Sequence, residues 1–112
     1  MTFEVRKADD KPVVIIRVEG QLLVGNRKEL KQIVSKAVET GDRKFLIDFT
    51  STGFIDSSGL AGLLALSNEI TDAGGELRLA GLNEDLRSMI DLTKLNAVFV
   101  IDDLPERALA AF

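Results

Sequence analysis

Hydrophobic residues follow strand-like and helix-like spacings in turn along the chain. Phe3–Lys7 alternates apolar and polar side chains, which predicts an edge strand. Val13–Val18 is β-branched except for Arg17, which predicts a buried strand that ends at Gly20. Later apolar segments predict a central strand and two further strands, at residues 44–49, 76–80 and 97–101.

Four segments between and after these strands carry helical signals. The first has apolar residues at i, i+3, i+4, i+7 and i+8 spacing, and Asn26 is its candidate N-cap. The second is predicted to begin with Asp56 or Ser57 as its cap and to run to about residue 71. Asn83 is the candidate cap of the third. Residues 103–106, Asp-Leu-Pro-Glu, have the pattern of a capping box with proline in the first turn, which predicts a terminal helix.

The predicted order of elements is β-β-α-β-α-β-α-β-α. Strands that alternate with helices imply right-handed crossovers and a mainly parallel sheet, to which the first strand is joined by a hairpin. We therefore expect one α/β domain over residues 1–112, with a mixed sheet of four to five strands and helices mainly on one face.

The predicted second helix has an unusual outer face. With about 100° between successive residues, its leucines and Ile70 share a core-facing arc, and the opposite arc carries small residues for two turns: Ser58, Ala61, Gly62 and Ala65. Gly59 and Gly62 each lower helix stability by about 1 kcal/mol relative to alanine. The small residues either pack against a neighbouring element of the same domain or form a face on which another protein docks. The periodicity leaves both interpretations open.

Ser57 lies at the start of this small-residue face. A serine at a helix N-terminus is usually an N-cap, and the spacing alone favours that interpretation. The alternative is a phosphoryl acceptor, because free N–H groups and the helix dipole tolerate negative charge at this end. A phosphoryl group would then change what can dock without melting the helix.

The residue inventory excludes several kinds of chemistry. The chain has 112 residues, 14 Lys and Arg, 18 Asp and Glu, a formal charge of −4, and neither His nor Cys. An imidazole base, a thiol nucleophile and a Cys-ligated metal are therefore impossible, and we expect no metal site. The acidic balance argues against non-specific nucleic-acid binding. No apolar run approaches the roughly 20 residues of a membrane span, and no signal-peptide pattern is visible. We expect a soluble, cytoplasmic protein.

Residues 54–64, Phe-Ile-Asp-Ser-Ser-Gly-Leu-Ala-Gly-Leu-Leu, closely resemble the phosphorylation-site motif of bacterial anti-sigma factor antagonists, the STAS domain family. Residues 18–22, 48–49 and 74–77 resemble further motifs of the family. Leu92, Leu95, Val98 and Phe99 match the segment before its last strand. The resemblance therefore extends over nearly the whole chain.

This resemblance implies a partner-switching protein that is not an enzyme and needs no cofactor. The unphosphorylated antagonist binds an anti-sigma factor that is also a serine kinase, and so frees the sigma factor. The kinase then phosphorylates the first serine after the aspartate, here Ser57, and binding is lost until a PP2C-type phosphatase restores it. Asp56 would orient the site. The docking face would contain Ser58, Gly59, Ala61, Gly62 and Ala65, and the protein would be a monomer or weak dimer.

One position departs from the family pattern. Many antagonists carry an acidic residue where this chain has Leu23. The difference is either neutral drift in a surface loop or a hydrophobic docking rim made of Leu22, Leu23 and Val24, which would mark an interface.

Two other classes of function remain open. The domain could be a non-switching scaffold or binding subunit of a larger signalling assembly, which would run as a large oligomer. An enzyme acting on a small molecule has only three loop hydroxyls in its favour, those of Thr50, Ser51 and Thr52.

Overall fold

A computed structural model describes residues 2–112 and contains seven strands and four α-helices in that range. The strands are β1 (Phe3–Lys7), β2 (Val13–Val18), β3 (Gly20–Leu22), β4 (Lys44–Asp48), β5 (Thr52–Ile55), β6 (Glu76–Ala80) and β7 (Val100–Asp102). The helices are α1 (Arg27–Glu39), α2 (Ser57–Asp72), α3 (Glu84–Leu92) and α4 (Pro105–Ala111), and a 3₁₀ turn covers Leu95–Ala97.

Five of the strands form one sheet in the order β1-β2-β4-β6-β7. β1 pairs with β2 antiparallel, so that Phe3 lies opposite Val18, and the other neighbours are parallel. Each parallel connection passes through a helix, as a crossover requires. The predicted mixed, mainly parallel sheet is confirmed.

The helices are divided unequally between the two faces of this sheet. Alternate residues of β2 and β4, such as Ile16 and Ile47, lie in a large core together with residues of α1, α2 and α3. The intervening residues, such as Ile15 and Leu46, form a smaller cluster with Ala108 of α4. Helices mainly on one face were predicted, and this is confirmed, with α4 as the exception.

A second, two-stranded sheet was not predicted. The sequence pattern indicates a loop at residues 50–53, but Thr52–Ile55 forms β5 and pairs parallel with Gly20–Leu22. The buried Thr52 donates from Oγ1 to the carbonyl oxygen of Val18 at 2.7 Å. Three- and four-residue strands that contain glycine and threonine carry too little hydrophobic alternation to be detected in a sequence.

The last strand begins later than predicted. Residues 97–101 were expected to be extended, but Leu95–Ala97 forms a 3₁₀ turn and β7 starts at Val100. Lys94 precedes the turn with a φ of 60°. This left-handed residue ends α3 and redirects the chain, a conformation that an apolar pattern does not reveal.

The predicted helix caps have three different outcomes. Asp56 and Asn83 do cap α2 and α3, through side-chain bonds from Gly59 N and Leu86 N. Asn26 occupies the cap position of α1 but makes no capping bond. The predicted capping box at 103–106 is wrong, because Leu104 is the N-cap and no side chain caps α4. A residue before proline is pushed into the extended region, and Leu104 therefore takes the position expected for Asp103.

Candidate functional site

Ser57 is the first residue of α2, and its side chain is exposed. Asp56 provides the cap instead, since its Oδ1 accepts a hydrogen bond from Gly59 N at 2.6 Å. The N-cap interpretation of Ser57, which its spacing favoured, is therefore wrong. Within residues 2–112 the Ser57 hydroxyl makes no hydrogen bond, and its side chain is exposed.

The loop after β3 is held against the start of α2. Asp56 N donates to the carbonyl oxygen of Leu22 at 3.2 Å, and Val24 N donates to Oδ2 of Asp56 at 3.3 Å. Asn26 braces the loop from its other side, because its Oδ1 accepts from Leu23 N at 2.7 Å and its Nδ2 donates to Gln21 O at 2.8 Å. Asn26 thus stabilises the loop, not the helix that follows it.

Gly59 is buried where α2 crosses the end of β3. A Cβ at this position would overlap the carbonyl oxygen of Leu22 and would lie 3.1 Å from Cγ2 of Ile55. The small residue is required here by packing inside the domain. The assignment of Gly59 to the exposed docking face is therefore corrected: its backbone supports the face from behind.

At Gly62, one turn further along, the nearest atoms belong to a side chain and not to the backbone. A Cβ there would lie 3.3 Å from Cβ and 3.4 Å from Cδ of Arg27, which crosses over from α1. The Arg27 guanidinium donates from Nη1 to the carbonyl oxygen of Ser58 at 3.2 Å. Ala61 and Ala65 are exposed, and Ser58 is half-buried. Packing inside the domain therefore accounts for Gly59 and, through a side chain, for Gly62, and it leaves Ala61 and Ala65 accessible.

Only part of the predicted hydrophobic rim is exposed. Leu22 is 0% exposed and belongs to the core, so the interpretation of its side chain as a docking contact is corrected. As the last residue of β3 it lies opposite the buried Ile55. Leu23 is half-buried, and Val24 is 65% exposed.

Sequence reasoning missed the exposure of Phe54, an aromatic residue three positions before Ser57. Its side chain is 52% exposed, because β5 buries Thr52 and Ile55 and leaves the two residues between them accessible. An exposed aromatic ring is unusual on a protein surface and is typical of interfaces. The short β5 strand that presents it was itself not predicted, and so the ring was not recognised.

A cleft of about 250 Å³ between α1 and α2 was also missed. Its lining consists of Arg27, Lys28, Lys31, Gly62 and Ala65. The signal in the sequence was a pair of cations four residues apart at the start of the first helix, which resembles any solvated helix surface.

The three loop hydroxyls have structural partners. Thr50 Oγ1 donates to Oδ1 of Asp48, and Ser51 Oγ accepts from Arg17 Nη2 at 2.6 Å. Thr52 is bound to Val18, as described above. Each of the three hydroxyls therefore has a structural hydrogen bond. Within residues 2–112 there is no group of three potential metal ligands, and no helix is long and apolar enough to cross a membrane.

The fold and the start of α2 define a small α/β domain that presents a capped helix N-terminus beside a short accessory sheet. The family model for the STAS domain matches residues 4–108. The chain belongs to the STAS domain family, and the resemblance seen in the sequence is confirmed.

Several relatives and solved structures that resemble the chain are named as anti-sigma factor antagonists. A Bordetella bronchiseptica protein, provisionally named anti-sigma factor antagonist BtrV, is 25% identical over 100 residues, which cover 89% of this chain and 86% of the relative. A crystal structure from Thermotoga maritima, also provisionally named an anti-sigma factor antagonist, has a TM-score of 0.89 at 24% identity and covers 97% of this chain and 92% of its own.

The anti-sigma factor antagonist SpoIIAA has the same fold in two chemical states. Its unphosphorylated form has a TM-score of 0.76 at 21% identity, with 97% of this chain and 96% of that chain covered. The phosphorylated form, from Bacillus, has a TM-score of 0.74 at 20% identity, with 98% and 99% covered.

Proposed function

We propose that this domain is an anti-sigma factor antagonist that binds an anti-sigma factor serine kinase, and that phosphorylation of Ser57 abolishes the binding. A PP2C-type phosphatase reverses the modification. The protein acts as a monomer or weak dimer in the cytoplasm, where the kinase has ATP and a sigma factor to release. It provides no catalytic group of its own, in keeping with a chain that has neither His nor Cys.

The observation that carries the proposal is that Asp56, and not Ser57, caps α2. Asp56 makes the capping bond, and the Ser57 side chain is exposed on the first residue of the helix. A kinase can therefore modify Ser57 without removing a bond that stabilises α2. A phosphoryl group at this end of a helix is also stabilised by the dipole, so the fold survives the modification.

The docking surface consists of Ser58, Ala61, Gly62 and Ala65, with Leu23 and Val24 as its rim and Asp56 orienting its start. A phosphoryl group adds about two negative charges and three oxygens at the edge of this close-packed surface. The group lies beside the Asp56 carboxylate, which adds repulsion to the cost of desolvation. A loss of about 3–4 kcal/mol weakens binding several-hundred-fold.

The modification is tested by intact-protein mass measurement with site mapping on protein from the native host. We expect about 80 Da of added mass on Ser57, removable by a PP2C phosphatase. Ser88→Ala, an exposed serine of α3 outside the docking surface, should leave the modification in place, and Ser57→Ala should eliminate it. If Ser57 stays unmodified under all growth conditions, the domain is a constitutive binding or scaffold subunit and the switch is wrong.

Binding is tested by titration calorimetry against each purified anti-sigma factor kinase that the host encodes. Ser57→Ala should bind with wild-type affinity and should keep that affinity after incubation with ATP. Gly62→Leu should bind at least tenfold more weakly while it unfolds at the same urea concentration, because its side chain displaces that of Arg27 and extends into the partner's space. Wild-type affinity for Gly62→Leu would contradict the docking surface.

A further inference from the structure

The cleft between α1 and α2 concentrates positive charge on an acidic protein. Arg27, Lys28 and Lys31 line it on the α1 side, and Gly62 and Ala65 line it from α2. The chain as a whole has a formal charge of −4. No acidic residue belongs to the lining, and the cleft therefore carries the opposite sign to the protein around it.

These three cations have no acidic partner among residues 2–112. Elsewhere in this range Lys7 lies 3.0 Å from Asp42 and Arg78 lies 2.8 Å from Glu76, but most other cations are also unpaired. The three cleft cations differ from these in lying together around one concave surface. Because no acidic side chain lines that surface, their positive potentials add.

The position of the cations on α1 increases this potential. Arg27 and Lys28 are the first two residues of the helix, and Glu29 is the acidic residue of its first turn. Positive side chains at a helix N-terminus oppose the dipole and are unfavourable there. Asn26 adds no capping bond to offset this. An anion bound in the cleft would offset this unfavourable interaction between the cations and the helix dipole.

Two contacts within the domain already position the Arg27 side chain. Its aliphatic chain lies over Gly62, and one guanidinium nitrogen donates to Ser58 O at 3.2 Å. The remaining N–H groups form a planar fork that matches a carboxylate. A side chain that is already ordered loses less entropy when it binds. Lys31 lies one helical turn further along the same helix, about 6 Å away at Cβ.

We propose that this basic cleft binds an acidic segment of the partner protein, with two carboxylates about one helical turn apart that pair with Arg27 and Lys31. The inference rests on the proposed function, because the cleft adjoins the small-residue surface at Gly62 and Ala65. It adds the chemistry of the partner: an acidic segment beside the part that contacts α2. A protein segment is favoured over nucleic acid, since three cations on a protein of net charge −4 attract a long polyanion poorly.

The cleft is tested first without the partner. A hexaglutamate peptide is titrated into ¹⁵N-labelled protein at low salt, with hexaglutamine, inorganic phosphate and a short single-stranded DNA as parallel probes. Hexaglutamate should shift the amides of Arg27, Lys28, Lys31, Gly62 and Ala65, and hexaglutamine should not. Equal shifts at lysines outside the cleft, or stronger binding of phosphate or DNA, would overturn the proposal.

A matched pair of variants separates the cleft from general charge. Lys28→Glu/Lys31→Glu should weaken hexaglutamate binding at least tenfold, and Lys36→Glu/Lys44→Glu, with the same change in net charge, should change it less than twofold. Circular dichroism and urea unfolding establish that both variants fold. Equal weakening by the two pairs would show that net charge, not the cleft, binds the peptide.

The same variants are then titrated with the purified kinase that binds the wild-type protein. The cleft pair should weaken binding at least tenfold, and its effect should shrink as salt is raised from low to high concentration. If the kinase binds the cleft pair normally and still releases it after Ser57 is phosphorylated, the cleft proposal fails and the proposed function stands. If hexaglutamate maps to the cleft but no kinase binds, the proposed function fails and the acidic-segment site stands.

Discussion

The first and second turns of α2 look alike in sequence but differ in what surrounds them. At Gly59 the neighbouring space is filled by main chain, the carbonyl group of Leu22. At Gly62 it is filled by the Arg27 side chain, which is itself exposed. A backbone held in a sheet cannot move aside, but a long side chain can. The first turn is therefore closed by the fold, and the second is open to change.

The largest loss of stability is expected from Leu22→Ala, at the residue whose carbonyl group closes the first turn of α2. Leu22 is fully buried, and we expect the substitution to lower the free energy of unfolding by about 3 kcal/mol. Val24→Ala, two residues away and mostly exposed, should change it by less than about 0.5 kcal/mol. Urea unfolding of both variants measures the difference. Similar losses would show that the loop is packed throughout and that Val24 is not an open rim.

Gly59→Ala should also destabilise the domain, by at least about 2 kcal/mol. Alanine gains about 1 kcal/mol in helix propensity over glycine, but the overlap with the Leu22 carbonyl outweighs it. The chemical-denaturation midpoint measures the net effect. A more stable Gly59→Ala variant would mean that β3 can move away from α2 to make room for the methyl group. The first turn of α2 would then not be closed by the fold.

A smaller loss is expected from Asp56→Ala, which removes the bond to Gly59 N. Loss of an N-cap side chain costs about 1 kcal/mol. Asp103→Ala is the matched control, because Asp103 is the corresponding acidic residue before α4 and caps nothing. The control should unfold within about 0.5 kcal/mol of wild type. If the two variants lose the same stability, capping does not distinguish the two helix starts.

Gly62→Ala should have the smallest effect, less than about 1 kcal/mol in either direction. The added methyl group requires Arg27 to move by a few tenths of an ångström, and the gain in helix propensity offsets that shift. Thermal unfolding beside Gly59→Ala gives the comparison directly. A loss as large as that of Gly59→Ala would show that both turns are closed.

The sequence predicted the parts of the fold that rest on long hydrophobic periodicity. β1 agrees with the predicted bounds, β2 begins as predicted but ends at Val18 instead of Gly20, and α1 to α3 begin where their caps were placed. The β3–β5 pair was not predictable, because its strands are only three and four residues long and are distant in sequence. The Asp103 cap failed because proline restricts the residue before it more strongly than a carboxylate attracts an N–H group.

The site was predictable where it depends on a contiguous motif. Ser57 and the small face of α2 follow from residues 54–65 alone. The separation of Gly59 from Gly62 depends on which other segment lies opposite each of them, and periodicity carries no information about that partner. The same holds for the cleft, whose cations belong to α1 and whose other wall belongs to α2.

The two glycines at the start of α2 have a consequence for the order in which the protein folds. Helix nucleation is costly, and glycine makes it more so, so the first turns of α2 are poor places for the helix to begin. Nucleation is expected in the leucine-rich half that follows Gly62, and the turn that contains Ser57 forms when β3 and β5 deliver the Leu22 carbonyl and the Asp56 cap. In pulse-labelling hydrogen exchange, the amide of Gly59 should therefore become protected after that of Leu66. The segment that carries the phosphoryl acceptor is then among the last to be completed, and an incompletely folded chain would not present it.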